Sequence, residues 1–282
     1  LRRRAKPLLG CLVEISIPAD SEAGLLRATD AAFARIADFH RSMSFHEPDS
    51  DLRGLARCRA GEVLEVSADT WRTLELALQI EAASGGAFNP AVAPALVLRG
   101  LLPKPDRAQL ALARTLAQGI ELLDSQRVRV LSPVWIDLGG IAKGAAVDAA
   151  VQALLNAGVD QGVVNAGGDL RVFGACEHRL AMRVPVAPQQ SVEVAQLRDL
   201  SCATSAGYFL DPAHPTGDHP GIIGRRADAA AFASVSVIAP TCVLADALTK
   251  VVWQHGGAAA PLLARYDARA VLMQASGHWQ AL

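Results

Sequence analysis

The chain has 282 residues, 51% hydrophobic and 20% charged, a composition suited to a globular core. Its formal net charge of -1 leaves no basic surplus to neutralise a phosphodiester backbone, which argues against a nucleic-acid partner. Five cysteines with no CxxC argue against a zinc site or a full disulfide framework, and no apolar run reaches the ~18–20 residues of a membrane span. Numbering starts at Leu1 rather than Met, which is compatible with an export signal or lipid anchor cut away ahead of it.

In chain order, the basic cluster Arg2-Arg3-Arg4-Ala5-Lys6 reads as a solvated tail, and the alternating LVEISI (12–17) as a strand. Asp20 and Ser21 offer caps for a helix to about Met43, with Leu25, Leu26, Thr29, Phe33, Ile36 and Phe39 near helical spacing. FHEPDSDLRGL (45–55) reads as a polar loop broken by Pro48, and EVLEV (62–66) as a short strand. Ser67 and Asp69 begin a helix to Ala83, closed by Gly85-Gly86. AFNPAVAPALVLRG (87–100) carries too many prolines for a regular element, whereas residues 106–117 read as helical. IELL, RVRVL and VWIDL suggest adjacent strands. A helix over 141–156 ends at Gly158, and VVNAGGDLRVFG (163–174) reads as strand, glycine break, strand. HRLAMRV, VEVAQL and LSCAT continue the strands, and residues 206–231 are loop-rich. ASVSVIAP (233–240) is a buried strand, Thr241 caps a helix from about Cys242 to Gln254, and ARAVLMQ (269–275) gives a last strand. Strands that follow one another directly predict α+β with much antiparallel pairing.

Two glycine-rich segments carry the chemistry. DLGGIAKGAAVD (137–148) puts Asp137 at the end of an apolar run and Lys143 in the first turns of a helix; NAGGD (165–169) follows. Glycine admits a ligand or another backbone at close range, and amides at a helix start suit phosphate, although tight structural turns need the same residues. The spacing is neither GxxxxGK[ST] nor GxGxxG, so neither a P-loop nor a Rossmann fingerprint is present. Lys143 opposes the helix dipole, a placement that makes sense beside an anion, while a solvated helix lysine is the plainer reading. In PTCVLADALTK (240–250), Asp246, Thr249 and Lys250 share a face at i, i+3 and i+4. A carboxylate and hydroxyl so placed suit a hard cation such as Mg²⁺, and Asp246–Lys250 also reads as a helical ion pair. Cys11, Cys202 and Cys242 read as small buried hydrophobes; His40, His178, His255 and His278 read as structural or exposed.

In this order, DLGGIAKGAAVD, NAGGDLRV and SVSVIAPTCVLADAL resemble the ApbE family of FAD:protein FMN transferases. MSFHEPDSDL (43–52), SGGAFNPAVAPAL (84–96), LGCLVEISI (9–17) and CATSAGY (202–208) resemble further family segments, so the likeness spans nearly the whole chain. The resemblance implies an ApbE-like fold of largely antiparallel sheets with packed helices, as a single domain over 1–282. It implies transfer of the FMN half of FAD to a Ser or Thr hydroxyl of an acceptor flavoprotein, such as a subunit of a membrane redox complex, with Mg²⁺ and release of AMP. It also implies a place outside the cytoplasmic membrane, periplasmic or membrane-associated. Carried over by position, the flavin and adenosine contacts are Leu9, His46, Ala87, Phe88, Asn89, Asp137, Lys143 and Ile223. The metal falls to the main-chain oxygen of Gly140, to Asp246 and to Thr249, with Asp246 also the candidate catalytic group. The alternative is a non-catalytic or weakly FAD-hydrolysing flavin-binding protein; an unrelated α+β enzyme with glycine-rich turns is a third reading. Two departures favour the alternative. Lys250 stands where the family has a metal-binding Thr or Ser, with Thr249 about 100° round the helix. GIIGRRAD (221–228) gives Gly221 and Gly224 where the family has His and Asp, leaving His214 or His219 in the flanking LDPAHPTG region to substitute.

Overall fold

The computed structural model describes residues 1–206, 221–224 and 232–282. LDPAHPTG, His214, His219, the end of CATSAGY and the end of GIIGRRAD lie outside the described residues, as does most of the loop-rich 206–231 stretch. The chain forms two compact units, one of Leu1–Ala37 with Lys143–Leu282, the other of Asp38–Ala142.

The elements in chain order are β1 (Arg2–Leu8), β2 (Cys11–Ile17), α1 (Glu22–Met43), α2 (Asp51–Arg57), β3 (Val63–Glu65), α3 (Ala68–Ala83), α4 (Ala93–Leu98) and α5 (Leu116–Gly119). Then come β4 (Ile120–Leu122), β5 (Arg127–Val130), α6 (Ala142–Asn156), β6 (Gly162–Ala166), β7 (Asp169–Phe173), β8 (Glu177–Val184) and β9 (Ala187–Arg198). The last are β10 (Ser201–Ala206), β11 (Ser234–Ala239), α7 (Cys242–His255), α8 (Ala260–Arg265), β12 (Arg269–Met273) and β13 (Trp279–Ala281).

The larger unit is built on an eight-stranded sheet in the order β1-β2-β6-β7-β10-β11-β12-β13, antiparallel at every pairing. The two-residue period of its strands separates its faces. Leu170, Val172 and Cys202 turn to one face, where Leu180 and Leu197 of the β8–β9 hairpin cover them. Asp169, Arg171 and Ser205 turn to the other, where they meet Lys143, Asp148 and Thr249. The sheet's centre therefore has an oily side and a polar side, and the polar side is sealed by α6 and α7. The smaller unit packs Leu52, Leu55, Leu74, Ile80 and Leu116, all fully buried, with the three-stranded sheet β3-β5-β4. The α+β expectation with antiparallel sheets is what the fold has.

Several local expectations need correction. The basic start is not a tail but β1, an edge strand returned onto β2 by a two-residue turn in which Leu9 (φ 54) and Gly10 (φ 72) are both left-handed. Its charges are used: Arg4 donates to Thr29 Oγ1 at 2.6 Å and Asp30 at 2.9 Å, and Lys6 lies 4.9 Å from the Phe33 ring centre. Charged side chains on a sheet edge also discourage pairing with other chains. The supposed loop at 45–55 contains α2, which Ser50 caps by accepting from the Arg53 amide. Prolines do not prevent α4, because Pro94 sits in its first turn, where no amide is needed.

Residues 106–117 are helical only from Leu116; Leu110 and Leu112 are 77% and 63% exposed, so the apolar pattern found no face to pack on. Their backbone is tied instead to a distant segment, Leu112 and Ala113 both donating to the Pro133 carbonyl. VWIDL buries Val134, Ile136 and Leu138 but joins no sheet; the Asp137 amide donates to Pro90 O at 2.8 Å. β13 and α8 were not anticipated. Cys202 and Cys242 are buried as expected, whereas Cys11 is half-buried.

Candidate functional site

In the smaller unit, four of the expected residues come together. Ser84 ends α3, and its Oγ accepts from the Phe88 amide at 3.1 Å, which folds SGGAFN into a compact turn with Ala87 and Phe88 buried. Asn89 fixes the turn's exit, its Oδ1 accepting from Ala91 N at 2.9 Å and its Nδ2 donating to Arg114 O at 2.8 Å. The Asp137–Pro90 backbone bond brings Asp137 alongside. A Cβ at position 139 would lie 3.0 Å from Asp137 Oδ2, so a bare Gly139 leaves that carboxylate its room. Gly140 is half-buried in the same turn, after which the Ile141 and Ala142 amides both donate to Leu138 O and α6 begins. His46 lies exposed on a separate turn, its amide held by Ser44 Oγ at 3.2 Å.

In the larger unit, a charge cluster lies on the polar side of the sheet. Lys143, the second residue of α6, pairs with Asp169 Oδ2 at 2.5 Å; the Asp169 side chain is only 2% exposed, and its other oxygen accepts from Thr204 N. Asp246 of α7 is fully buried, its Oδ2 accepting from the Gly144 amide at 3.1 Å and its Oδ1 from the Lys250 ammonium. That ammonium also reaches the Asp246 carbonyl at 3.0 Å. Thr249, fully buried, donates to the same carbonyl at 2.7 Å and shares a 2.8 Å hydrogen bond with Ser205. α6 and α7 touch backbone to backbone here, since a Cβ at Gly144 would fall 2.3 Å from Cys242 O. Asp148 completes the junction, accepting from Cys242 N at 3.0 Å and Val243 N at 2.8 Å. It thereby caps α7 from another helix, Thr241 making no side-chain cap of its own.

The electrostatics follow from burial. Burial and the repulsion of Asp246 hold the Asp169 carboxyl above the usual carboxylate range, against the pull of Lys143. Burial acts in the same direction on Asp246, but Lys250 and Lys143 outweigh it and hold that carboxyl low. Burial alone would lower Lys143; the Asp169 and Asp246 charges raise it instead. Leu9 and Ile223 lie at this unit's margins. Leu9 is two residues from Cys11, whose thiol crowds Gly167 of NAGGD, and the Ile223 carbonyl accepts from Gln254 Nε2 of α7 at 3.2 Å.

The donor set can be tested against Mg²⁺. A hard dication needs oxygen ligands carrying unspent negative charge. The Asp246 carboxylate and carbonyl and the Thr249 hydroxyl are of the right kind, but each already has a partner. A dication bound to Asp246 would sit roughly 4 Å from the Lys250 ammonium, a repulsion of about 8 kcal/mol at an effective dielectric of 20. Among the described residues, no group of three or more His, Cys, Asp or Glu gathers to hold a metal. The arrangement as folded does not fit Mg²⁺.

Asp169 and Asp148 escaped sequence reasoning as site residues. The signal was present, since each closes one of the two glycine-rich segments, but their partners lie 26 and 94 residues away.

The chain is similar to known proteins in both sequence and fold. The chain is 27% identical to the FAD:protein FMN transferase of Treponema pallidum, over 90% of this chain and 78% of that one. It is also 27% identical to the FAD:protein FMN transferase of Vibrio cholerae, over 76% and 69%. Its fold matches the crystal structure of the ApbE protein of Thermotoga maritima with a TM-score of 0.81 at 24% identity, covering 99% of this chain and 96% of that one. It matches the apo flavinyl transferase ApbE of Pseudomonas stutzeri at 0.76 and 21%, covering 100% and 93%. The ApbE family profile spans residues 9–273, from the left-handed turn after β1 to the end of β12, and so takes in both glycine-rich segments and the α7 cluster: this chain belongs to the ApbE family.

Proposed function

We propose that the chain transfers the FMN half of FAD to a Ser or Thr hydroxyl of an acceptor flavoprotein, working as one domain over 1–282. The hydroxyl oxygen bonds to the FMN phosphorus, the pyrophosphate bond breaks, AMP leaves, and the hydroxyl proton passes to solvent or to the departing phosphate. The acceptor supplies its own nucleophile, so no serine or cysteine of this chain is consumed. The observation that carries this reading is the pair of part-exposed ammonium groups held on buried carboxylates, Lys143–Asp169 at the first turn of α6 and Lys250–Asp246 on α7 beside it. Fixed cations at a helix N-terminus suit the charge that gathers on non-bridging phosphate oxygens.

In this reading Leu9, His46, Ala87, Phe88, Asn89, Asp137, Lys143 and Ile223 contact the flavin and adenosine, Asp137 by accepting from a polar N–H. Gly140, Asp246 and Thr249 are the positions that the family resemblance gives to Mg²⁺. The oxygens of Asp246 and Thr249 are already partnered within the chain. Asp246 acts through the cation it holds. The acceptor is assigned, by family analogy, to the redox flavoproteins outside the cytoplasmic membrane; no helix among the described residues is long and apolar enough to cross one. The Lys250–Asp246 pair also favours a second reading, a flavin-binding protein with weak or no turnover.

The test is incubation with FAD and a flavin-accepting redox subunit, reading flavin fluorescence on the denatured acceptor and AMP by chromatography. Both are expected to appear together. FAD binding with neither product would overturn transfer in favour of the second reading.

A further inference from the structure

Resting on the flavin-transfer reading, we propose that the Lys250 ammonium is the resident cation of this site, standing where a divalent ion would otherwise be held. Asp246, Thr249 and Lys250 follow one another around a single turn of α7, and Lys250 folds back along its own helix to bond both the carbonyl and the carboxylate of Asp246. The pair is not a surface ornament: Asp246 is fully buried and the Lys250 side chain is 19% exposed. Thr249 faces Ser205 and the same carbonyl, so its hydroxyl is spent on the helix and the sheet. The cluster is also balanced in charge, Lys143 against Asp169 and Lys250 against Asp246. A site with two carboxylates and two ammonium groups has no net negative charge left to draw in a dication. The exposed fifth of Lys250, together with Lys143, is what the chain offers to a diphosphate. Divalent ions therefore bind this site weakly, and flavin binding and turnover do not require them.

Two measurements test this without relying on turnover. Titration of the full chain with Mn²⁺, followed by electron paramagnetic resonance, is expected to show no uptake up to millimolar ion, and Lys250→Thr is expected to bind Mn²⁺ at least tenfold more tightly. Mn²⁺ uptake by the wild type, unchanged or weakened in Lys250→Thr, would overturn the proposal. Should Lys250→Thr fail to fold, the second measurement stands alone: the Kd of the wild type for FAD, read by flavin fluorescence, is expected to agree within twofold in EDTA and in excess Mg²⁺. A tenfold tightening by Mg²⁺ would refute the inference. The two readings also fail separately. FMN transfer seen only with Mg²⁺ would sink the resident cation and keep the transferase. Absence of transfer under every condition, with metal-independent FAD binding, would do the reverse.

Discussion

Gly144 shows how much of this site rests on the absence of a single methyl group. It is the third residue of α6, its amide is spent on Asp246, and a Cβ would lie 2.3 Å from the Cys242 carbonyl oxygen and 2.8 Å from the Val243 Cα. Those are backbone atoms, which cannot swing aside as a flexible side chain would. A helical glycine in open space gains about 1 kcal/mol on becoming alanine. Here the sign inverts, because α6 and α7 must part to admit the methyl, and overpacking of this kind costs about 3 kcal/mol. Gly144→Ala is expected to lower the unfolding free energy by about that amount, read as a lower urea midpoint at unchanged slope, and to weaken FAD binding as well, since parting the helices separates Asp246 from the α6 amide. A variant as stable as the wild type would show that the helices do not meet as closely as described.

Helix ends in this fold are repeatedly capped from elsewhere in the chain, and this governs what could be read in advance. α5 is only four residues long, yet both oxygens of buried Glu81 on α3 accept amides at its start, Leu116 N at 2.8 Å and Ala117 N at 2.9 Å. Glu81→Ala strands the buried Leu116 amide and leaves the part-buried Ala117 amide to water, and is expected to cost about 2 kcal/mol, with Glu81→Gln recovering part by supplying one acceptor. Thermal melts of the two variants give the comparison, and equal losses would mean that the carboxylate only fills space. α5 does have a local cap, Thr115 Oγ1 accepting from the Gln118 amide at 3.2 Å, but so short a helix leaves no apolar period of its own, and the anchor on Glu81, 35 residues away, leaves no local mark; that is why the start of α5 at Leu116 was not legible within 106–117. Where signals were local, the sequence was legible: Ser67 announces α3 and an apolar stripe announces α1. Ser50 is equally local, but Pro48 drew the reading toward a loop and α2 was lost. VWIDL shows the remaining limit. Its alternation records burial of Val134, Ile136 and Leu138, and burial alone does not state that a strand will find a partner.

Over the whole molecule, the sheet order brings together residues that no window of sequence contains. Lys143, Asp169 and Asp246 converge because β7 and β10 are neighbours and α7 returns over them; the motifs were readable as chemistry, their meeting was not. The same convergence gives the protein a characteristic weakness to alkali. Cys202 lies fully buried in β10, and burial, reinforced by the Asp169 charge, pushes its thiol up to about 12 from 9.0. Cys242, at the start of α7, is raised well above 9.0 by burial and by Asp148 and its acidic neighbours. Burial would lower Lys143, but Asp169 and Asp246 raise it above 10.5. All three bind a proton more tightly folded than unfolded. Their contribution is thus intact below about pH 9 and is lost as pH rises towards the folded values, since the unfolded chain gives up its protons first. For Cys202 alone, the loss by pH 11 is on the order of 3 kcal/mol. Urea midpoints measured from pH 8 to pH 11 are expected to fall steeply for the wild type and less steeply for Cys202→Ala, although the variant starts lower through its small cavity. Parallel curves would show that the thiol ionises as readily in the folded chain as in the unfolded one, and the β10 environment described here would have to be more open to water than its burial indicates.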